Sequence, residues 1–493
     1  MKVCLISPKW NKMVNSYPSL GLGYLAAFLE REGHQVRIFD LGLTPDSPLE
    51  QDITAIVAYK PDLIGLTAMT SNYHSALATA QLLKEKLAAP IVIGGPHATV
   101  FPERVIQENC FDYLIYGEGE ITLHELAKTL EAANFRPSPD ELRSILGLCF
   151  KDDGQVQKNS AQPLIRDLDS LPFPARHLFD LGRYPLYTPH GQPMITILSS
   201  RGCPYNCSYC FKGIVGRVYR QRSVENIIAE IREVIATYGI KNFYFIDDLF
   251  TINERRLQEL TKRMVGEQLD IRWQCLARVD KVTPEILAQM YQAGCRQIHY
   301  GIESGNQEML DAIGKQITLQ QVRQAITWTR EARIMSKGYF MLGLPGDTEA
   351  TMEQTIRFAA ELDLDEAMFS LTTPFPGTRL WDELCRKRPG TEFDADFSRA
   401  YYYNSYTEEI APFLNVSEVS DARLAHLIKE AEKCFWEGKR KRKYIRHFGK
   451  PWGAWIWQLS NVPVVRALGR WVLDSGLYRA GLELRQGGAD SWS

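Results

Sequence analysis

The sequence predicts an α/β chain with two parallel-sheet modules in series and a mostly helical tail. Short apolar runs alternate with amphipathic stretches between residues 1 and 130, and the alternation starts again between 191 and 390. Continuous apolar runs joined by helices read as strands buried on both faces of a parallel sheet. A polar, proline-rich stretch over 131–190 lies between the modules and reads as a linker with a small hairpin, while 391–493 turns helical. At 493 residues the chain exceeds one ordinary core, which requires several domains.

Composition narrows the function classes. A formal net charge of −2 gives no global signature for nucleic acid or an anionic membrane. The opening MKVCLISPKW carries an apolar run too short for a signal-peptide core and reads as a first strand. Ten cysteines without a secretory signal fit a reducing compartment, so a cytoplasmic protein is expected.

In the first module the strand-like runs are Val3 to Ile6, Val36 to Phe39, Leu63 to Thr67, Ile91 to Ile93 and Tyr113 to Tyr116, with an amphipathic helix over Leu22 to Arg31. This is a Rossmann-like or flavodoxin-like pattern, in which ligands bind beyond the carboxyl ends of the strands. Those ends read Ser7-Pro8, Thr67-Ala68-Met69-Thr70, Gly94-Gly95-Pro96-His97-Ala98-Thr99 and Gly117-Glu118-Gly119-Glu120. Glycine lets backbone approach a bulky ligand, and hydroxyls bond its periphery. Taken alone, such a module could bind a flavin, a nucleotide or nothing; the lack of GxGxxG after the first strand and of a Walker loop lowers the nucleotide readings.

The second module has runs at Met194 to Ser200, Phe243 to Asp247, Trp273 to Ala277, Gln297 to Ile302, Gly338 to Leu342 and Ala367 to Leu371. Directly after the first comes RGCPYNCSYC, with Cys203, Cys207 and Cys210 on one tight loop. Three thiolates so spaced can hold three corners of an iron–sulfur cube and leave one iron open. A structural zinc site needs a fourth ligand, normally as a second matched pair, and none follows at the usual distance. The other seven cysteines are scattered, several within apolar runs, and read as small buried hydrophobes.

This spacing, with aromatic Tyr209 before the last cysteine, resembles the radical S-adenosylmethionine (SAM) enzymes. GGPHAT after the fourth strand and YGEGE after the fifth resemble the cobalamin-binding domain fused to one large branch of that family. The resemblance implies a cobalamin-binding domain over 1–130, a partial (βα)6 TIM barrel over 191–390, and three cofactors: a [4Fe-4S] cluster, SAM and cobalamin. The cluster falls to Cys203, Cys207 and Cys210. The cobalamin residues implied are Ser7, Thr67, Met69, Thr70, Gly94, Gly95, His97, Gly117 and Glu118. No DxHxxG motif is present, and neither His74 nor His97 has that context, so the lower face of cobalt is expected to lack a histidine.

A SAM site needs acceptors for ribose and ammonium, a cation for the carboxylate, and open backbone for adenine. Asp247 and Glu303 supply acceptors, Arg278 a cation, and Gly343 and Gly346 open backbone. GIESG and MLGLPG resemble the ribose-side and adenine-side strands, and Tyr209 joins the set by its place in the loop. Ion pairing at the barrel rim would equally account for the charged residues.

In the tail, Tyr401, Tyr402, Tyr403 and Tyr406 could line a substrate cavity or simply pack. Lys439 to Lys443 precede Trp452, Trp455, Trp457 and Trp471. A basic run before a Trp-rich stretch is what a peripheral membrane helix or a lipid entrance shows, and a solvated helix packed by its tryptophans shows it too.

The leading expectation is a cobalamin-dependent radical SAM methyltransferase. It would methylate an unactivated carbon through methylcobalamin and a 5′-deoxyadenosyl radical, on a small molecule; the tail would suit a large apolar one such as a lipid or tetrapyrrole without identifying it. An external donor such as flavodoxin or ferredoxin would supply electrons. The alternative is a cyclase or rearrangement enzyme of the oxygen-independent magnesium-protoporphyrin ester type. An RNA-modifying methylthiotransferase would need a further cysteine triad, which Cys4, Cys110 and Cys149 do not make, and balanced charge gives no support for RNA.

Overall fold

The computed structural model describes residues 1–10, 15–400 and 410–460. It divides into two compact units, Met1–Phe250 with Thr373–Tyr401 and Thr251–Thr372 with Tyr402–Ser493.

The first unit is built on a seven-stranded sheet of β1 (Lys2–Ser7), β2 (Gln35–Asp40), β3 (Leu63–Thr67), β4 (Ile91–Gly94), β5 (Tyr113–Ile115), β6 (Leu148–Asp152) and β7 (Gln155–Lys158). Its order is β2-β1-β3-β4-β5-β6-β7, with the first five strands parallel. This is the flavodoxin-like order, whose direction of winding switches beside β1 and β3. Helices Leu20–Arg31 and Glu120–Ala132 bury Leu22, Ala26, Leu29, Leu123, Leu126 and Leu130 on one face. Helix Tyr73–Lys86 buries Ala76, Ala80 and Leu83 on the other. Each leucine so enclosed contributes on the order of 2 kcal/mol by leaving water.

Inside the stretch expected as linker, β6 and β7 form an antiparallel hairpin that extends the sheet beside β5. Asp153 and Gly154 join them, both at positive φ (47° and 78°), as a two-residue primed turn requires.

The same unit contains β8 (Met194–Ile197) and β11 (Asn242–Phe245), a parallel pair. It also contains a short antiparallel ribbon, β9 (Ser200–Arg201) on β10 (Arg220–Gln221). Helix Val224–Tyr238 follows, capped by Ser223 at its start and ended by left-handed Gly239.

In the second unit β12 (Arg272–Ala277), β13 (Cys295–Glu303), β14 (Met335–Leu342) and β15 (Glu366–Leu371) pair in parallel, each with the next. With β8 and β11 they make up the six strands expected after residue 191. β13 and β14 start two or three residues earlier than their apolar runs, because polar Arg296, Ser336 and Lys337 lie among their first residues. On β14, Ser336, Gly338, Phe340 and Leu342 are fully buried, whereas Lys337, Tyr339 and Met341 are half-buried, and β15 repeats the pattern. One face therefore packs as core and the other is lined by polar and adaptable side chains. A closed barrel would normally fill that second face with branched apolar residues.

The tail helix Asp421–Phe448 buries Leu424, Leu427, Ile428, Ala431 and Phe435 within the second unit. A Cβ on Gly438 would lie 2.5 Å from the Ala360 carbonyl, so glycine permits this approach. Much of the basic run turns inward: Lys439 donates to the Asp365 carbonyl (2.5 Å), Arg442 to the Ala360 carbonyl, and Arg446 to Asp363 (2.7 Å). These cations complement the carboxyl end of helix Glu349–Glu361. Trp452 and Trp455 are 64% and 55% exposed on helix Trp452–Ser460. Tyr401, Tyr402, Tyr403, Tyr406 and Trp471 lie outside the described residues. Among the described residues no helix is long and apolar enough to cross a membrane.

Candidate functional site

The cysteine loop is a wide turn between β9 and β10. Gly202 opens it at φ +86°, where an added Cβ would run into the Val218 carbonyl, so only glycine fits. Cys203 is buried and Cys207 and Cys210 are half-buried; the Cys210 N–H donates to the Cys207 carbonyl at 3.2 Å. Burial pushes the Cys210 thiol up, and Lys212 counteracts this by favouring the thiolate. Lys212 also faces Asp248 at 3.6 Å. Among the described residues no three His, Cys, Asp or Glu side chains converge on a single ion. A cube differs from a single ion, since each thiolate meets its own iron, and three cysteines spread around one loop match that requirement.

Asp247, at the end of β11, is fully enclosed and accepts from the Ser199 N–H (3.2 Å), the Ser199 hydroxyl (2.8 Å) and the Ser200 hydroxyl. Its carboxylate thus fixes the bend that leads into the cysteine loop. Tyr209 lies half-buried next to Cys210.

The first unit also encloses a cavity of about 340 Å³ at the carboxyl ends of its parallel strands. Leu5, Leu66, Val92, Ile115 and Leu123 form its apolar lining. Six of the nine residues expected for cobalamin line it: Thr67, Met69, Gly94, Gly95, Gly117 and Glu118. Gly95 and Gly117 are left-handed, at φ +92° and +80°. A cavity of this size fits one arm of a large macrocycle rather than the whole ring.

Ser7, Thr70 and His97 are not part of that lining. Ser7 accepts from Asn15 (3.3 Å), and Thr70 pairs with His97 (3.3 Å). His97 stacks on Tyr73 with centroids 4.1 Å apart, and burial lowers its pKa to about 3, keeping it neutral. His74 is exposed near Asp396, so neither histidine faces the cavity. Sequence reasoning missed Ser19, Tyr24 and Leu25 from the first helix and its entry, and Arg201, Ile214 and Val215 from the cysteine loop and its flank.

In the second unit Glu303 ends β13 at φ +69°, a strained value for a non-glycine residue, beside a register shift after Gly301. Lys315 donates to its carboxylate at 2.7 Å, and both groups are buried. A Cβ on Gly301 would lie 2.6 Å from that carboxylate, so glycine there leaves room for the pair. Arg278 pairs with Asp280 (2.8 Å) and donates to the Lys315 carbonyl (2.8 Å), tying the same loop from its other side. After β14, left-handed Gly343 and Gly346 expose backbone, and the Gly343 and Leu344 N–H groups donate to buried Asp347 at 3.1 and 3.0 Å.

The half-buried face of this sheet carries a polar row that the apolar-run reading passed over. Tyr339 bonds to His299 (3.0 Å), Lys337 pairs with Glu366 (3.2 Å), and Gln297 donates to Glu366 (3.1 Å). Burial, aided by Lys337, lowers the His299 pKa to about 3, so it faces Tyr339 as a neutral imidazole.

Comparison with known proteins divides the chain by family rather than by compact unit. Residues 11–127 match the B12 binding domain and residues 197–359 the Radical SAM superfamily. The chain is 36% identical to an uncharacterized methyltransferase of Pyrococcus horikoshii, over 78% of this chain and 83% of that one. It is 30% identical to the anaerobic magnesium-protoporphyrin IX monomethyl ester cyclase of Cereibacter sphaeroides, over 78% and 64%. The structure of the radical S-adenosylmethionine methyltransferase TsrM from Kitasatospora setae, with cobalamin and a [4Fe-4S] cluster bound, superposes with a TM-score of 0.66 at 21% identity, covering 78% of each chain. That likeness shows a shared fold.

Proposed function

This chain belongs to the radical SAM enzymes that carry a B12-binding domain, and from that membership we propose that it is a methyltransferase acting on an unactivated carbon of a small, largely apolar molecule. The cofactors of the family are a [4Fe-4S] cluster, SAM and cobalamin. When bound, they would supply radical chemistry and methyl transfer. The observation that carries the reading is the presence, in one chain, of a glycine-rimmed cavity and a three-cysteine loop.

Cys203, Cys207 and Cys210 hold the cluster, with Lys212 favouring the Cys210 thiolate. Thr67, Met69, Gly94, Gly95 and Gly117 meet cobalamin at the cavity rim. Glu303, held by Lys315, accepts hydrogen bonds from SAM, and the backbone at Gly343 and Gly346 serves its adenine. Tyr209 contacts SAM from the cysteine loop. Asp247 and Arg278 act as positioning residues, since Asp247 is already bonded to Ser199 and Ser200 and Arg278 to the Lys315 carbonyl. Tyr339 and Met341 face the substrate, with His299 holding the Tyr339 hydroxyl in place. The segments 1–130, 131–190, 191–390 and 391–493 serve as cobalamin module, linker, catalytic module and tail. A small flavodoxin- or ferredoxin-like donor supplies electrons.

The test needs no substrate. Protein reconstituted anaerobically with iron, sulfide and cobalamin is given a reductant and methyl-labelled SAM. Label on the cobalamin together with S-adenosylhomocysteine is expected. The 30% identity to a cyclase favours a second reading, which 5′-deoxyadenosine formation with unlabelled cobalamin would select.

A further inference from the structure

Glu118 was expected to touch cobalamin, yet its carboxylate is otherwise committed. The side chain is 2% exposed. It accepts from Arg201 at 2.8 Å on one oxygen, and from Arg220 at 2.8 Å and the Ile165 N–H at 2.9 Å on the other. Arg201 also donates to buried Glu120 at 2.6 Å, and Arg220 to the Val215 carbonyl at 3.0 Å. Two carboxylates and two guanidiniums thus form a buried quartet of zero formal charge. The arginines hold the Glu118 carboxyl below the usual carboxylate range despite its burial.

The placement of this quartet gives it significance. Arg201 and Arg220 are direct partners across the β9–β10 ribbon, and the loop that ribbon closes carries all three cysteines. Glu118, Glu120, Arg201 and Val215 also line the cavity. One set of hydrogen bonds therefore belongs to the cavity rim and to the base of the cysteine loop. Displacing any member would leave a buried charge unpaired, so the set holds or opens as a unit.

We propose that Glu118 is a positioning residue that couples occupation of the cavity to the conformation of the cysteine loop, so that each of the two sites is bound more tightly when the other is filled. The proposal rests on cobalamin occupying the cavity and a cluster occupying the loop. Coupling of this kind is reciprocal, and its usual size is about 5- to 150-fold in affinity.

The test titrates hydroxocobalamin by absorbance into anaerobic protein, once with the loop empty and once after reconstitution with iron and sulfide. Wild-type protein is expected to bind about tenfold more tightly when reconstituted. Glu118→Gln, which keeps the shape and removes the charge, is expected to bind with equal affinity in both states. Arg220→Lys, which keeps the charge and loses the fork, gives an independent variant with a reduced ratio should the first not fold. Cys207→Ala, treated with iron and sulfide, should match the empty state. Equal wild-type affinities in the two states, or a full ratio retained in Glu118→Gln, would overturn the coupling and leave the methyltransferase reading standing. No hydroxocobalamin binding in any state would overturn both.

Discussion

Glu303 combines three properties that rarely coincide at one residue: burial, a left-handed backbone and a lysine partner at 2.7 Å. Such strain persists only where the surroundings enforce it, and Gly301 supplies the room. Glu303→Gln is expected to weaken SAM binding tenfold or more, about 1.4 kcal/mol, and to cost about 1–3 kcal/mol in stability because it removes the charge opposite the buried Lys315 ammonium; equilibrium dialysis and denaturant melts check the two parts. Cys207→Ala is expected to abolish 5′-deoxyadenosine formation and still bind cobalamin, with the affinity of the empty-loop protein, which chromatography of the reaction and an absorbance titration measure. The cysteines, Glu303 and the glycines could be singled out as candidates because short motifs flank them. The ion pairs of Glu118 were not legible, because its partner Arg201 is 83 positions away and no local pattern records that pairing.

Among the elements, legibility followed burial. β1, β3, β4 and β5 are enclosed on both faces and stood out as continuous apolar runs, whereas the edge strand β2 exposes Gln35 and Arg37. The first two or three residues of β13 and β14 fell outside the apolar runs because polar Arg296, Ser336 and Lys337 lie among them, and the small hairpin expected between the modules is β6–β7, which extends the first sheet. Leu126 is fully buried between its helix and the first sheet, so Leu126→Ala should cost about 2–5 kcal/mol, read as a drop in denaturant midpoint with an unchanged slope. Tyr339→Phe removes one hydroxyl from the open face of β14 and leaves its core face alone. It is expected to raise KM for substrate, with a melting temperature within a few degrees of wild type.

For the whole molecule, two buried histidines predict acid sensitivity. His97 in the first unit and His299 in the second have pKa values lowered to about 3 by burial, against an ordinary 6.5. Unfolded chain therefore binds more protons than folded chain over that window, so stability is complete above about pH 6.5 and falls as pH drops toward 3. Each contributes a slope of up to about 1.4 kcal/mol per pH unit. Chemical denaturation between pH 7 and 4.5 should show the decline, and His97→Phe should flatten it for the first unit; an unchanged slope would count against the assignment.

The alternation on β14 and β15 also bears on how this scaffold can change over generations. Positions 337, 339, 341, 366, 368 and 370 face one way and hold little of the core, while their neighbours face the other way and hold much of it. Under the proposed substrate assignment, mutations at the first set alter which molecule is accepted without erasing the fold that presents it. Foldability and selectivity are thus written on opposite sides of the same strands, and a library confined to those six positions should yield mostly folded variants with diverging appetites.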